Sequence, residues 1–286
     1  MRRPELVVSG ATAVVTGAAG GMGEHIAKGL ARRGADLVLV DVAAEGLERV
    51  AADIARETPG ARVTTHVVDL ADRVAADEVI ARIRDGHPGV TMLFNNAGVA
   101  VGGRFDQIGA EDFDWLLEIN LLVPIRFTRA LLPLMRENGE GQVVNTSSLF
   151  GLVGPPGQTA YCTSKFGLRG FSESLRSELE AEQRQVGVTV VHPGGIRTGI
   201  ATSARVAAGV DPEEAERNRV AFAKMLTYPA ARAAEEIVEG ALARRPRVLI
   251  GRDAKGLDVL ARLTPSRYWS LMGRAMTLAA RRKQRL

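Results

Sequence analysis

Tyr161 and Lys165 stand four residues apart in a chain of 286 residues. On a helix that spacing places both side chains on one face, about one turn apart. A phenol with an ordinary pKa near ~10 is a poor base at neutral pH, and a fixed cation beside it stabilises the phenolate. The pair can therefore exchange a proton with an alcohol. Ser148, thirteen residues before Tyr161 in the run Val143-Val144-Asn145-Thr146-Ser147-Ser148, offers a hydroxyl to an oxygen on which negative charge develops. An isolated Tyr-x-x-x-Lys is usually a packing pair, so its company decides. Far upstream, a glycine-rich turn follows a strand-like run, and a chemistry that needs a hydroxyl donor, a phenolic base and a dinucleotide uses all three.

The elements that must position these groups alternate along the chain. Thr12 to Thr16 is a β-branched run that ends in Gly17-Ala18-Ala19-Gly20-Gly21-Met22-Gly23, and Glu24 to Arg33 has helical composition. Strand, glycine turn, helix is the context of a phosphate cradle, in which glycines let backbone N–H groups approach a pyrophosphate at the positive end of the helix. A second strand, Asp36 to Val40, closes on Asp41, 18 residues after Gly23. A carboxylate there can accept hydrogen bonds from the adenosine ribose, and its charge repels the 2′-phosphate of NADP. No Arg or Lys stands at Gly20 or Val42 to reward that phosphate, so NAD is the expected cofactor and NADP is disfavoured.

Helix 43–56, strand 62–68, helix 71–84 and strand 90–94 continue the pattern, with Asp69 and Asn95-Asn96-Ala97-Gly98 at strand ends, where open α/β sheets bind ligands. Asp69 serves equally as the N-cap of the next helix. A long helical segment, 112–135, contains Asn120 and should be kinked by Pro124 and Pro133. Strand 141–146 delivers Ser147-Ser148, a loop with Pro155-Pro156 leads to helix 159–182, and strand 188–191 precedes His192-Pro193-Gly194-Gly195-Ile196-Arg197-Thr198. Helix 230–243 and strand 247–250 complete a Rossmann-type α/β fold: a doubly wound parallel sheet of about seven strands, helices on both faces and right-handed crossovers.

Together these motifs resemble the short-chain dehydrogenase/reductase family over residues 10–250. Thr16 and Gly17 through Gly23 match its T-G-x-x-x-G-x-G turn; Asn95 to Gly98, Asn120, Ser148, and Tyr161 with Lys165 follow in the family's order. The resemblance implies Asn120, Ser148, Tyr161 and Lys165 as catalytic residues. It also implies a cofactor site of Thr16, Gly17, Gly21, Met22, Gly23, Asp41, Asp69, Asn96, Ala97, Gly98, Tyr161, Lys165, Pro193, Gly194, Ile196 and Thr198. In that family the aspartate in the place of Asp69 contacts adenine, the asparagine in the place of Asn120 holds a water beside the lysine, and the backbone at Ile196 with Thr198 holds the nicotinamide carboxamide. Ser148 is preferred over Ser147 by its interval to Tyr161. His192, before a proline at a strand end, reads as structural.

The resemblance further makes residues 199–228 a substrate lid, and its Ile200, Val206, Val210, Val220, Phe222, Met225 and Leu226 suggest a lipophilic substrate. Asp211-Pro212-Glu213-Glu214 is a helix start with a capping side chain and proline first. The expected reaction interconverts a secondary alcohol and a ketone with NAD. The alternatives are an NADPH-dependent 3-oxoacyl or carbonyl reductase and a dinucleotide-binding regulator without catalysis, against which the complete Asn, Ser, Tyr and Lys set argues. The family commonly pairs its two long helices, so a homodimer or homotetramer is expected.

One cysteine, Cys162, leaves no internal disulfide and no usual zinc site, and no metal is expected. No apolar run reaches the ~18 residues of a membrane span, which points to a cytoplasmic protein. Charge is uneven: from Arg244 onward 12 Lys and Arg face two Asp, while 25 basic and 31 acidic residues precede them. The domain should end near residue 251, leaving 252–286 as a basic tail. Thr264 with Pro265 reads as the start of a helix carrying Tyr268, Leu271, Met272, Ala275, Met276 and Ala279, with Arg267, Arg274, Arg281, Arg282 and Lys283 around it. That tail is expected to cover an apolar substrate pocket and to touch anionic membrane peripherally. It lacks the aromatic interleaving of a nucleic-acid platform, and no nucleic-acid partner is expected.

Overall fold

Runs of four to eight residues rich in aliphatic side chains become strands here because both their faces are covered: the interior strands are buried end to end rather than on alternate residues. In the computed structural model, which describes residues 5–182 and 185–271, these are β1 (Thr12–Thr16), β2 (Asp36–Asp41), β3 (Val63–Val67), β4 (Val90–Asn95), β5 (Gly141–Thr146), β6 (Val186–Pro193) and β7 (Arg247–Ile250). They form one seven-stranded sheet in the order β7-β6-β5-β4-β1-β2-β3, with every neighbouring pair parallel. The chain winds outward from β1 to β3, returns beside β1 as β4, and winds outward again. That reversal opens a crevice at the carboxyl ends of β1 and β4, the usual ligand position in such sheets.

Helices α1 (Gly21–Ala31), α2 (Ala44–Glu57) and α3 (Arg73–Gly86) follow the first three strands. Ile26 and Leu30 of α1 and Leu47, Val50 and Ile54 of α2 fill the core on one face of the sheet, while α3 packs Val79, Ile80 and Ile83 on the other. Burying side chains of this size stabilises by about 1.5–3 kcal/mol each. Asp72, rather than Asp69, caps α3, accepting from the N–H groups of Val74 and Ala75. Asp69 instead accepts from Ala71 N–H at 2.9 Å, closing the turn before the helix.

The long segment around Asn120 is not one kinked helix. It divides into α4 (Ala110–Leu117), a wide π turn at Glu118–Leu122, and α5 (Val123–Glu137). Pro124 has no N–H to give the Asn120 carbonyl, and Val123 N–H bonds back five residues to the Glu118 carbonyl. Pro133 sits inside α5 without ending it. The core helix α6 (Thr159–Ala181) crosses beneath β5 and β6. A buried polar ladder ties these parts together: Asn95 Nδ2 donates to Asn145 Oδ1 at 2.8 Å and lies 3.3 Å from Thr128 Oγ1. Asn145 Nδ2 in turn donates to Ser172 Oγ at 2.9 Å.

Past β6 the chain forms a short turn at Gly199–Ala201 and then α7 (Pro212–Met225), capped as expected by Asp211, which accepts from Glu213 and Glu214 N–H at 3.0 Å. No residue of α7 is buried. Helix α8 (Ala230–Leu242) packs beside α1, and β7 is followed directly by α9 (Arg252–Leu263), an element that the sequence reading did not separate from the tail. Thr264 closes α9, its hydroxyl donating to the Leu260 carbonyl at 2.7 Å, and a helical turn resumes at Tyr268. Met272, Arg274, Ala275, Met276, Ala279, Arg281, Arg282 and Lys283 lie outside the described residues. No helix among the described residues is long and apolar enough to cross a membrane.

The ladder predicts a stability cost away from any reacting group. Asn145→Ala strips a partner from both Asn95 and Ser172 in a fully buried position, and we expect it to lower the unfolding free energy by about 2 kcal/mol. A urea titration should show an earlier midpoint with an unchanged slope.

Candidate active site

The glycine turn is a cradle that side chains would fill. Gly17 and Gly21 have φ of +67° and +56°, and a methyl group on Gly23 would lie 1.9 Å from the Gly17 carbonyl oxygen. One on Gly17 would lie 2.8 Å from the Ala97 Cα, so the turn after β1 and the turn after β4 touch backbone to backbone. No side chain caps α1 at Gly20, which leaves the first N–H groups of that helix pointing into the crevice. Thr16 Oγ1 accepts from the N–H groups of Asn96 and Ala97, both at 3.1 Å, and Asn96 Nδ2 donates back to the Thr16 and Gly17 carbonyls at 3.3 Å. Met22 packs its partly buried side chain on the core behind the turn. A backbone cradle with an open helix end fits the pyrophosphate of a dinucleotide.

Asp41, at the end of β2, accepts from Ala19 N–H at 2.9 Å and from Ala43 N–H at 3.1 Å, which fixes its carboxylate at the rim of the cradle. Asp69 is exposed at the end of β3. A cation that the sequence reading missed approaches the same rim: Arg49 on α2 donates to the Ala19 carbonyl at 2.9 Å and to Glu24 at 2.8 Å. It stands eight residues past Asp41, in the second turn of a helix, so only the fold brings it near. Across the crevice, Pro193 ends β6, Gly194 N–H bonds the Ile250 carbonyl at 2.9 Å, and Ile196 is buried. Thr198 reaches the glycine turn: a methyl on Gly21 would lie 3.4 Å from its Cγ2.

Ser148, Tyr161, Lys165 and Asn120 come together between β5 and α6. Ser148 hydrogen-bonds the Tyr161 phenol and accepts from Phe150 N–H at 3.0 Å. Ser147 turns the other way and is buried, donating to the Lys165 carbonyl at 2.8 Å. Lys165 Nζ donates to the Thr146 carbonyl at 3.0 Å and lies 5.7 Å from the centre of the Tyr161 ring. Gly98 makes the room, since a methyl there would stand 3.4 Å from that Nζ and 3.3 Å from Asn120 Oδ1. Asn120 is locked by a reciprocal pair with Val99, donating to its carbonyl at 2.9 Å and accepting from its N–H at 2.8 Å.

The electrostatics differ from the sequence expectation in one respect. Lys165 was expected to draw the Tyr161 pKa down, whereas burial pushes the phenol up to about 12, and the Ser148 hydrogen bond opposes this only in part. Burial also pulls the Lys165 ammonium down to about 8. Both shifts have one cause, because each group sits where its charged form is poorly solvated. His192 is fully buried, and its Nδ1, 2.9 Å from the Ser148 carbonyl, must be the protonated nitrogen, since a carbonyl only accepts. Burial holds its pKa down to about 4.

Around the phenol the surface is apolar. Tyr161 packs with Val101, Leu116, Ala160 and Ala207, and with the partly buried Phe113, Trp115, Phe150, Ile200 and Val210. Ile200, Ala207 and Val210 of this cluster come from the segment after β6. Val206, Val220 and Met225 are exposed. Phe150, edge-on to the Tyr161 ring at 6.2 Å, was not anticipated. Its place two residues after Ser148 is a signal only once the turn is known.

The short chain dehydrogenase family model matches residues 11–208. The chain belongs to the short-chain dehydrogenase/reductase family. A Mycobacterium tuberculosis member named as an oxidoreductase, SadH, is 38% identical over 270 residues, covering 92% of this chain and 94% of that one. Oxidoreductase UcpA of Escherichia coli is 35% identical, covering 82% and 87%. Among solved structures, a short-chain dehydrogenase/reductase from Burkholderia phymatum in complex with NAD superposes with a TM-score of 0.82 at 26% identity, covering 91% and 95%. A short-chain dehydrogenase from Sphingobium yanoikuyae in complex with NADPH gives 0.74 at 27%, covering 94% and 95%. Family members with this fold thus include holders of either dinucleotide.

A pH dependence follows for this short-chain dehydrogenase from His192. Its folded pKa of about 4 lies below the ordinary value of 6.5, so the unfolded chain binds the proton more readily and stability falls as pH drops through that window. Between pH 7 and pH 5 the loss amounts to about 2 kcal/mol. His192→Asn keeps a donor for the Ser148 carbonyl but cannot titrate. Denaturant melts at both pH values should show a smaller acid loss in the variant than in the unaltered protein.

Proposed function

We propose that the protein is an NAD-dependent oxidoreductase that interconverts a secondary alcohol and a ketone on a lipophilic substrate. The observation that carries the reading is the Tyr161 phenol, hydrogen-bonded to Ser148 and stacked above Lys165, inside an apolar wall beside a dinucleotide cradle. The cradle residues Thr16, Gly17, Gly21, Met22 and Gly23 hold the pyrophosphate, Asp41 the adenosine ribose, and Asp69 the adenine edge. Asn96, Ala97 and Gly98 line the dinucleotide, with Pro193, Gly194, Ile196 and Thr198 at its nicotinamide end. A bound NAD supplies the hydride acceptor and, when oxidised, a positive charge near the phenol.

In this reading Ser148 donates to the substrate oxygen, where negative charge builds. Tyr161 takes the hydroxyl proton in oxidation and returns it in reduction. Lys165 lends positive charge beneath the phenol and reaches the nicotinamide ribose. Asn120 fixes the Val99 backbone and, through its π turn, keeps the far side of Lys165 open to a relay of protons. The segment 199–228 closes over the substrate, and its contribution of Ile200, Ala207 and Val210 to the wall favours an uncharged, lipophilic substrate. Assembly as a dimer or tetramer through α5 and α6 belongs to the same proposal.

The preference for NAD rests on Asp41, whose carboxylate lies at the cradle rim and leaves little welcome for a 2′-phosphate. Arg49 does not cancel it, because that guanidinium is paired with Glu24. We expect NAD to be favoured over NADP by roughly ten- to a hundredfold in kcat/KM, equivalent to about 1–3 kcal/mol, and Asp41→Ala to erase most of the difference. Equal efficiency with both cofactors in the unaltered protein removes Asp41 from this role.

For the chemistry, Tyr161→Phe should bind NAD within a few-fold of the unaltered protein and lose nearly all turnover on secondary alcohols. Ser148→Ala should lose most of its turnover too. Ser147→Ala should keep its turnover but melt earlier, by about 1 kcal/mol for the lost bond to α6. Substantial turnover in Tyr161→Phe refutes the mechanism; the reverse ranking of the two serines reassigns the donor.

A further inference from the structure

The turn Gly194-Gly195 is held by the segment that follows the sheet. Asp253, in the first turn of α9, accepts from Gly195 N–H at 2.8 Å. Its carboxylate lies directly against the turn: a methyl on Gly194 would stand 2.1 Å and 2.2 Å from its two oxygens, and one on Gly251, which has φ +92°, would stand 2.3 Å from Oδ1. Glycines at 194 and 251 are what allow a carboxylate to approach this closely. The hydrogen bond is charge-assisted and short in reach, so it fixes the turn better than a neutral side chain could.

The same dipeptide anchors the end of the lid segment. The Gly195 carbonyl accepts from Thr227 N–H at 3.0 Å and Tyr228 N–H at 2.9 Å, and Tyr228–Pro229 pairs with Ile196–Arg197 as a two-residue parallel bridge. Farther along, the Tyr268 hydroxyl accepts from Gly154 N–H at 3.0 Å, in the loop that leads to Tyr161. Residues 252–271 therefore strap together two loops on either side of the candidate active site.

We propose that Asp253 is a positioning residue for the nicotinamide end of the cofactor site, acting through the Gly194-Gly195 turn on Ile196 and Thr198. The proposal rests on the dinucleotide reading above and adds a role for the chain beyond the sheet. Because Asp253 bonds the turn after β6 and not β1, β2 or α1, it governs the nicotinamide half of the ligand and leaves the adenosine half, held by those three elements, unaffected.

Calorimetric titration with NAD and with ADP-ribose, which lacks the nicotinamide, separates the two halves. Asp253→Ala should weaken NAD at least tenfold while leaving ADP-ribose within twofold, and should raise the KM for NAD more than it lowers kcat. Asp253→Asn, which keeps an acceptor, should restore NAD affinity to within a few-fold. Gly194→Ala, which pushes the carboxylate out, should reproduce the selective loss, and combining it with Asp253→Ala should add little further, since the clash then has no partner. Equal weakening of both ligands, no weakening of either, or additive losses in the double variant overturns the proposal. Failure of the unaltered protein to bind NAD, NADP and ADP-ribose overturns instead the dinucleotide reading on which it rests.

Discussion

A lysine with 3% of its surface exposed and, among the described residues, no carboxylate beside it is the constraint on which the site depends. Taking the Lys165 ammonium out of water costs on the order of 3 kcal/mol at neutral pH, judged from its fall from 10.5 to about 8. The folded pKa is the lower one, so this cost is full below pH 8 and fades as pH approaches 10.5. The surroundings offset it with geometry rather than with an opposing charge. Thr146 gives its carbonyl to Nζ, Ser147 satisfies the carbonyl of Lys165 itself, and Gly151 allows α6 to approach, since a methyl there would stand 2.8 Å from that carbonyl. Gly98 leaves room beside Nζ, since a methyl there would stand 3.4 Å from it. Four separate elements thus have to be in register before the lysine can be buried at all.

That requirement explains the polar ladder running through an otherwise apolar interior. Asn95 ends β4, Asn145 lies on β5, Thr128 on α5 and Ser172 on α6, and these are the elements that carry the turn of Asn96 to Gly98, the two serines, the π turn of Asn120, and Lys165. Apolar packing alone tolerates small slips along a helix axis. A directed hydrogen bond does not, because a shifted partner leaves a buried donor unsatisfied. The ladder therefore contributes register more than energy. His192 performs the corresponding task from β6, holding the Ser148 carbonyl so that the serine hydroxyl points to the phenol while its neighbour Ser147 points into α6.

What could be read from the sequence was whatever local pattern encodes. Short apolar runs bounded by turn residues specify strands and longer periodic stretches specify helices, so all seven strands were legible to within a residue or two at most ends. The glycine turn, Tyr161 with Lys165, and the Asp211 cap were legible because their meaning lies within a few residues. The failures share a reason. The π turn needs the joint effect of Pro124 and of packing on α6. The cap of α3 shifts from Asp69 to Asp72 because the turn consumes the first aspartate. Arg49 approaches the cradle, and Asp253 the Gly194-Gly195 turn, only through contacts between elements distant in sequence. The direction of the Tyr161 shift was missed for the same cause: proximity of a cation was visible in the spacing, but the depth of burial was not.

Burial has opposite meanings for the two groups at the centre. It makes Tyr161 a stronger holder of its proton and Lys165 a weaker one, so the pair by itself favours the neutral phenol. On the proposed mechanism that state is the acid needed for ketone reduction. Oxidation needs the phenolate, and a bound oxidised dinucleotide would supply positive charge to stabilise it, at low dielectric where charge acts strongly. An apolar wall therefore does two things at once. It suits the lipophilic substrate proposed above, and it keeps the phenol uncharged in the protein alone.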